Sequence, residues 1–179
     1  YENLFKIQGQ EQIHKLTPLD PPIPLDIEEV AGFLEYGGTF SRIFSTYEYR
    51  PQQVEMTRAV ANSINENLHL LVEAGTGIGK SYAYLIPAAI FATSNQRRVV
   101  ISTNTINLQD QLINKDVPDL TKALGLDLRV AVLKGRINYL CPRKLDLMRQ
   151  RMPENVDELR LLAKILVWLW SGGTGDRTE

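Results

Sequence analysis

The stretch Glu73-Ala74-Gly75-Thr76-Gly77-Ile78-Gly79-Lys80-Ser81 constrains this chain more than any other. A small residue at Ala74, four intervening positions and then Gly79-Lys80-Ser81 is the Walker A spacing of a phosphate-binding loop. Gly75, Gly77 and Gly79 let the backbone turn where other residues resist, so that successive N–H groups face inward as a nest for anionic oxygens. Lys80 reaches the β- and γ-phosphates in such a loop, and the Ser81 hydroxyl holds Mg²⁺. A helix starting near Lys80 adds its positive N-terminal end. The flanks agree. Leu68-His69-Leu70-Leu71-Val72 is a short apolar run that suits a buried strand, and a helical pattern begins at Ser81. A glycine-rich turn between strand and helix with no ligand is the plain alternative.

The rest of the chain reads as alternating strand and helix. Asp26 caps a helix with Glu29 at its third position, running to about Tyr36 and stopping at Gly37-Gly38. Pro51 opens another, whose inner face carries Val54, Ala59, Val60 and Ile64. The helix after the loop runs to about Ala92 and contains Pro87. Arg98-Val99-Val100-Ile101-Ser102 and Leu128-Arg129-Val130-Ala131-Val132-Leu133 are further buried strands. A helix covers 106–114, a short one begins at Pro118, and two more cover 142–151 and 154–170. The last is apolar on several faces and needs cover on more than one side. The expected fold class is therefore α/β, a parallel sheet with helices on both faces. Residues 1–25, with four prolines in the nine positions 16–24, read as a Pro-rich linker. The polar end at Asp176-Arg177-Thr178-Glu179 reads as part of something longer.

Charge and cysteine content narrow the setting. The net charge is −1, so no global basic field advertises nucleic acid. Locally, residues 129–151 carry seven basic groups against Asp146 alone, a stretch that suits phosphates or a solvated surface. A single cysteine, Cys141, fits a reducing compartment and a cytoplasmic protein. The apolar run 161–170 is too short to span a bilayer, so no membrane partner is expected.

Four motifs in order carry a resemblance. Tyr49-Arg50-Pro51-Gln52-Gln53, the loop 73–81, Val99-Val100-Ile101-Ser102-Thr103-Asn104-Thr105-Ile106-Asn107-Leu108-Gln109-Asp110-Gln111-Leu112, and Leu133-Lys134-Gly135-Arg136-Ile137-Asn138-Tyr139-Leu140-Cys141 resemble the opening motifs of the DinG family. These are bacterial superfamily 2 DNA helicases related to XPD. The resemblance implies a partial RecA-like P-loop domain over residues 26–141, followed at 142–179 by the start of an inserted helical, iron–sulfur-type region. It implies ATP and Mg²⁺ as cofactors and single-stranded DNA as partner. Some members also join an exonuclease domain ahead of the helicase, which a Pro-rich tether at 1–25 would suit.

Residue by residue, the resemblance gives Gln53 an adenine contact, which its donor-and-acceptor amide suits, with Arg50 in support. A solvent-facing glutamine is the alternative. Ala74 to Ser81 hold the nucleotide, with Lys80 on phosphate and Ser81 on the metal. Ser102, Thr103, Asn104 and Thr105 match a segment that grips the DNA backbone. Capping of the next helix by Thr103 or Asn104 fits equally. Lys134 and Arg136 join the DNA-facing set. Cys141 matches the first ligand of a [4Fe–4S] cluster; four thiolates are usual and this chain supplies one, so the others would have to lie beyond Glu179 in the full-length protein, and a buried free thiol or a relic of a lost site is the alternative.

The chain also lacks what the family needs for turnover. There is no Asp-Glu-Ala-His box to hold Mg²⁺ and orient water, and no second motor domain with its arginine finger. The implied function is thus the first portion of an ATP-driven helicase that moves on single-stranded DNA and unwinds duplex in replication or repair, inactive by itself. A P-loop enzyme of another class, such as a kinase or transporter ATPase, and a nucleotide- or DNA-binding module without turnover are the alternatives.

Overall fold

In the computed structural model, which describes residues 15–177, Asp26 starts the first helix as its sequence position demands. Its side chain accepts from the N–H groups of Glu28 and Glu29 at 3.1 and 3.0 Å, satisfying two donors that the first turn leaves open. Helix α1 (Ile27–Gly32) is shorter than expected, and the chain turns on to a second short helix, α2 (Thr39–Ile43), that the pattern did not announce. Five residues are too few to display a helical period. Helix α3 (Pro51–Asn65) has Pro51 in its first turn, where a missing N–H costs nothing. Helix α4 (Lys80–Asn95) runs through the buried Pro87 and ends three residues beyond the expected stop. Helix α5 (Ile106–Gln111) passes through a π-helical turn (Leu112–Asp116) into α6 (Val117–Leu124).

The described residues fall into two compact units that divide between Val132 and Leu133. In the first, α3 lies between α1 and α4, and α6 packs on α4. Leu34, Phe40, Val54, Ala61, Ile86 and Leu120 are among the buried residues of this core. Of the expected inner face of α3, Val54 is buried and Ile64 packs against the core, whereas Ala61, Thr57 and Gln53 are the other fully buried members. Phe40 centres an aromatic group, with ring centroids 5.4 Å from Phe44, 6.1 Å from Tyr47 and 5.0 Å from Tyr82. Tilted and edge-on pairs of this kind add to the area they bury. On the surface, Arg58 of α3 bridges Glu28 at 2.8 Å and Glu35 at 3.0 Å. The guanidinium holds the Glu28 carboxyl below its ordinary range, a modest contribution for so exposed a pair.

The expected sheet does not form. Among the described residues, 68–72, 98–102 and 128–132 belong to no β-ladder. The one isolated β-bridge there joins Tyr139 to Asp176. Leu71 is fully exposed and Val100 is 90% exposed, where a covered parallel strand would bury both. The physical reason is that a strand, unlike a helix, satisfies its N–H and C=O groups only on a neighbour. The helices have formed from local hydrogen bonds, while the three apolar runs have not paired.

The linker expectation also needs correction. Residues 1–14 lie outside the described residues, but 17–25 do not run free. The buried Asn95 accepts from Ile23 N at 2.6 Å and donates to Ile23 O at 3.0 Å. Asn65 repeats the arrangement on Leu25, at 2.7 and 2.9 Å. Leu19 N donates to Asn95 O at 3.1 Å, and Arg97 donates to Leu19 O at 2.9 Å. A proline-rich segment cannot join a ladder or a helix, so amide side chains at the ends of α3 and α4 take up its backbone groups instead.

The second unit contains α7 (Pro142–Arg151) and α8 (Val156–Trp170), which pack together. Asn155 caps α8 through a 2.8 Å bond from Glu158 N. The two ends of this excursion are tied to each other. Leu140 N donates to Gly175 O and Arg177 N to Asn138 O, each at 2.8 Å. Lys134 and Asp176 form a 2.8 Å ion pair with side chains only 7% and 15% exposed. Leu162 is the buried residue of α8, and Val156, Leu159, Leu161, Val167 and Trp170 remain exposed. Among the described residues no helix is long and apolar enough to cross a membrane.

Replacing Asn95 by Ala strands the Ile23 amide and carbonyl together and should cost about 2–4 kcal/mol of stability. Urea unfolding is the check. The exposed Asn62→Ala on the neighbouring helix serves as a control, within about 0.5 kcal/mol of wild type.

Candidate phosphate-binding site

Two glycines bend the loop that runs into α4. Gly77 and Gly79 have φ of 83° and 82°, the left-handed region that side chains resist, while Gly75 does not need it. Gly79 is the residue just before α4, and Lys80 is its first member. The loop is closed by its own lysine. Lys80 Nζ donates to the carbonyls of Ala74 and Gly75 at 2.8 and 2.7 Å, so the ammonium folds back over the turn that its own backbone makes. The first N–H groups of the 16-residue α4 have no partner within the helix, which leaves donors and a positive dipole end at this spot.

The loop is also held from behind. Gln53, on the first turn of α3, is 1% exposed. Its Nε2 donates to Gly79 O at 2.8 Å. A Cβ added to Gly79 would lie 2.3 Å from that nitrogen, so the glycine is required for approach as well as for conformation. The solvent-facing alternative for Gln53 is thereby excluded: its amide belongs to the loop. Arg50 does not join it, being paired with Glu48 at 2.7 Å.

The residue that sequence reasoning missed is Tyr47. Its hydroxyl donates to Leu34 O at 2.6 Å and lies 3.4 Å from Gln53 Oε1. Burial pushes this phenol up to about 12. The available signal was an aromatic two residues ahead of the Tyr49-Arg50-Pro51 run. On α4, burial raises the Tyr84 phenol, with the neighbouring Ser81 hydroxyl acting to lower it. Tyr82 donates to Asp119 at 3.1 Å. The Ser81 hydroxyl offers one oxygen ligand of the kind Mg²⁺ takes alongside phosphate oxygens and water.

Residues 102–105 follow the unpaired run 98–102. Thr105, extended at φ −131°, caps α5 by accepting from Leu108 N at 3.2 Å. The cap is therefore not Thr103 or Asn104, because the capping side chain must come from the residue adjoining the helix. Thr103 donates instead to Thr105 O at 3.3 Å. Ser102, Asn104 and Thr105 are exposed.

The remaining predicted residues lie in the second unit. Lys134 is withdrawn into its pair with Asp176, which corrects its expected role as a phosphate-facing cation. Arg136 is exposed on a 3₁₀ turn, Arg136–Asn138. Cys141 is exposed rather than buried, immediately before α7. The backbone N–H groups of Lys144 and Arg143 hydrogen-bond its sulfur and hold the thiol below its ordinary pKa. Among the described residues no group of three or more His, Cys, Asp or Glu could hold a metal ion. One thiolate is not a cluster ligand set, so the residues present do not fit a [4Fe–4S] centre.

Comparison with known proteins agrees with the loop chemistry. A family model described as DEAD/DEAH box helicase matches residues 51–156. The chain is 40% identical over 152 residues to the ATP-dependent DNA helicase YoaA of Haemophilus influenzae, covering 84% of this chain and 23% of that protein. It is 39% identical over 139 residues to the 3'-5' exonuclease DinG of Bacillus subtilis, covering 78% of this chain and 15% of the relative. Against the ATP-dependent helicase DinG of Mycobacterium tuberculosis the identity is 50% over 100 residues, 54% of this chain and 15% of the relative. The chain thus spans between 15% and 23% of the length of these relatives.

Two outcomes are expected of the site. Gly79→Ala combines a positive φ with a clash on Gln53 and should lower stability by about 2 kcal/mol or more, read by thermal unfolding. The pH dependence follows from Tyr47. Its folded-state pKa is raised, so its contribution is fully present below the ordinary phenol value near 10 and is lost as pH rises toward about 12. Denaturant midpoints should fall across that window, and Tyr47→Phe should flatten the fall.

Proposed function

Because the chain belongs to the DEAD/DEAH box helicase family, whose domains are RecA-like α/β folds, we propose that it supplies the nucleotide-binding part of an ATP-dependent DNA helicase of the DinG kind. Within this reading residues 26–141 form the opening of the first motor domain, its parallel sheet completed by pairing of 68–72, 98–102 and 128–133, and 142–179 begin an inserted helical region. The observation that carries the reading is the geometry of residues 74–80: two left-handed glycines, a lysine closing the loop through Ala74 and Gly75, and a long helix starting at that lysine.

The chemistry follows from those parts. An incoming triphosphate offers oxygens that compete with the Ala74 and Gly75 carbonyls for the Lys80 ammonium, and the charged acceptor wins. The freed carbonyls return to solvent, and the N–H groups of the first α4 turn take the phosphate. The Ser81 hydroxyl would hold Mg²⁺, which would supply charge neutralisation to the phosphates when bound. Gln53 serves the site through the loop, its buried amide held on the Gly79 carbonyl rather than free for an adenine, and Arg50 stays on Glu48. Ser102, Thr103, Asn104, Thr105 and Arg136 contact the DNA backbone, where hydroxyls, amides and guanidinium groups grip phosphate without reading bases. Hydrolysis needs carboxylates that orient water, and the chain contains no Asp-Glu-Ala-His box. Turnover, translocation on single-stranded DNA and unwinding in replication or repair are accordingly acts of the longer protein. An exonuclease function in the longer protein is supported by the name of the Bacillus relative.

The test is ATP hydrolysis by the full-length protein with and without single-stranded DNA. DNA should stimulate it, and Lys80→Ala should lower kcat by about 10²-fold or more, as loss of a principal charge on the transferring phosphoryl group does. An ATPase indifferent to DNA would point instead to a P-loop enzyme of another class.

A further inference from the structure

The amide of Gln53 is committed before any nucleotide arrives. Gln53 is 1% exposed, and its Nε2 donates to Gly79 O at 2.8 Å. The carbonyl of the residue before a helix also accepts the first bond of that helix, so the Gly79 oxygen is held from α4 on one side and from α3 on the other. Peptide planarity turns this hold into a statement about Lys80. In a trans peptide the carbonyl oxygen and the following N–H point to opposite sides. The Lys80 N–H therefore faces away from Gln53, and it is one of the donors that the first turn of α4 leaves without a helical partner. An amide behind the loop thus steadies a donor in front of it.

Reading a base would undo this arrangement. To meet an adenine edge, the Gln53 amide would have to leave the Gly79 oxygen and come out of a position with almost no solvent contact. The base cannot come to the amide either. Loop and side chain are so close that a Cβ on Gly79 would lie 2.3 Å from Nε2 and 2.9 Å from Cδ, which leaves no room for a purine ring between them. The neighbouring cation is occupied as well, Arg50 being paired with Glu48 at 2.7 Å. What this end of α4 offers a ligand is its phosphate side, the first-turn N–H groups and the Lys80 ammonium.

We propose that Gln53 is a positioning residue for the polyphosphate chain and is indifferent to the base: it holds the Gly79–Lys80 peptide with the N–H toward phosphate, and any selection of adenine over guanine is made by other residues. This rests on the reading of residues 74–81 as an ATP-binding loop.

The experiment measures dissociation constants of Mg-ATP, Mg-GTP and Mg-tripolyphosphate by calorimetry on the full-length protein. Wild type is compared with Gln53→Met and Gln53→Ala, and Lys80→Ala is the control. Methionine keeps the length of glutamine without its donor, and alanine removes the side chain altogether; where one variant does not fold, the other decides. Each protein is assayed well below its unfolding temperature, where a residue of merely structural importance leaves the affinities at their wild-type values. The substitutions should raise the constant for every probe that wild type binds by one common factor, roughly three- to tenfold, as loss of a hydrogen bond of ordinary strength does. Whatever factor separates ATP from GTP in wild type should persist in the variants to within about twofold, because base and amide do not meet. A loss confined to ATP, or a collapse of the ATP-to-GTP factor, would make Gln53 a reader of the base and overturn the proposal. Unchanged constants would overturn it too, leaving Gln53 a residue of stability alone. Absence of ATP binding in wild type, or equal binding by Lys80→Ala, would instead overturn the ATP-loop reading and the role of Gln53 with it.

Discussion

A buried amide against a glycine carbonyl joins the two longest helices of the first unit at the point where chemistry is expected. Gln53 opens α3 and Gly79 precedes α4, and the 2.8 Å bond between them leaves no room for a side chain on the glycine. The register of one helix is thus referred to the start of the other. Tyr47 ties the segment ahead of α3 to the turn after α1 through Leu34. Its ring belongs to the aromatic group around Phe40, where water is excluded and a hydrogen bond is correspondingly costly to break.

This explains how the loop keeps a defined shape beside segments that have not paired. Residues 68–72 leave α3 and enter the loop, and 98–102 leave α4 and enter the segment that ends at the Thr105 cap. Neither belongs to a ladder. The loop is nevertheless restrained at both its ends, by Lys80 on the Ala74 and Gly75 carbonyls and by Gln53 on Gly79. Its geometry therefore comes from helix-borne side chains and glycine conformations, which are local, rather than from a sheet, which is not. In the second unit the same logic gives a different result. The pairing of 138–140 with 175–177 and the Lys134–Asp176 ion pair close an excursion of about forty residues upon itself. Closing a loop of that length is only slowly more costly than closing a shorter one.

What could be read from the chain was what depends on near neighbours. The glycine spacing announced the loop, Asp26 announced a cap, and Pro51 and Pro142 sit in first turns where their missing N–H is harmless. Helix α7 begins and ends where its pattern put it. What could not be read depends on partners distant in sequence. Nothing near Lys134 says that Asp176 will bury it. Nothing near residues 16–24, where prolines suggest a tether, says that asparagines some forty and seventy positions away will hold the backbone. Tyr47 was hidden for the same reason, since its meaning comes from Leu34. Apolar runs such as Leu68-His69-Leu70-Leu71-Val72 mark a wish for burial and name no neighbour that could satisfy it.

The asparagine clamps have an evolutionary corollary. Asn95 and Asn65 take hold of Ile23 and Leu25 by their peptide groups, and Leu19 is held the same way. Apart from Leu25, which enters the core, the side chains of this segment are bystanders to its attachment. A fastening of that kind tolerates drift: residues along the segment can be exchanged while the anchorage stays put, provided the two amides are kept. Selection is then expected to register on α3 and α4, at the clamps, rather than on the strip that they secure.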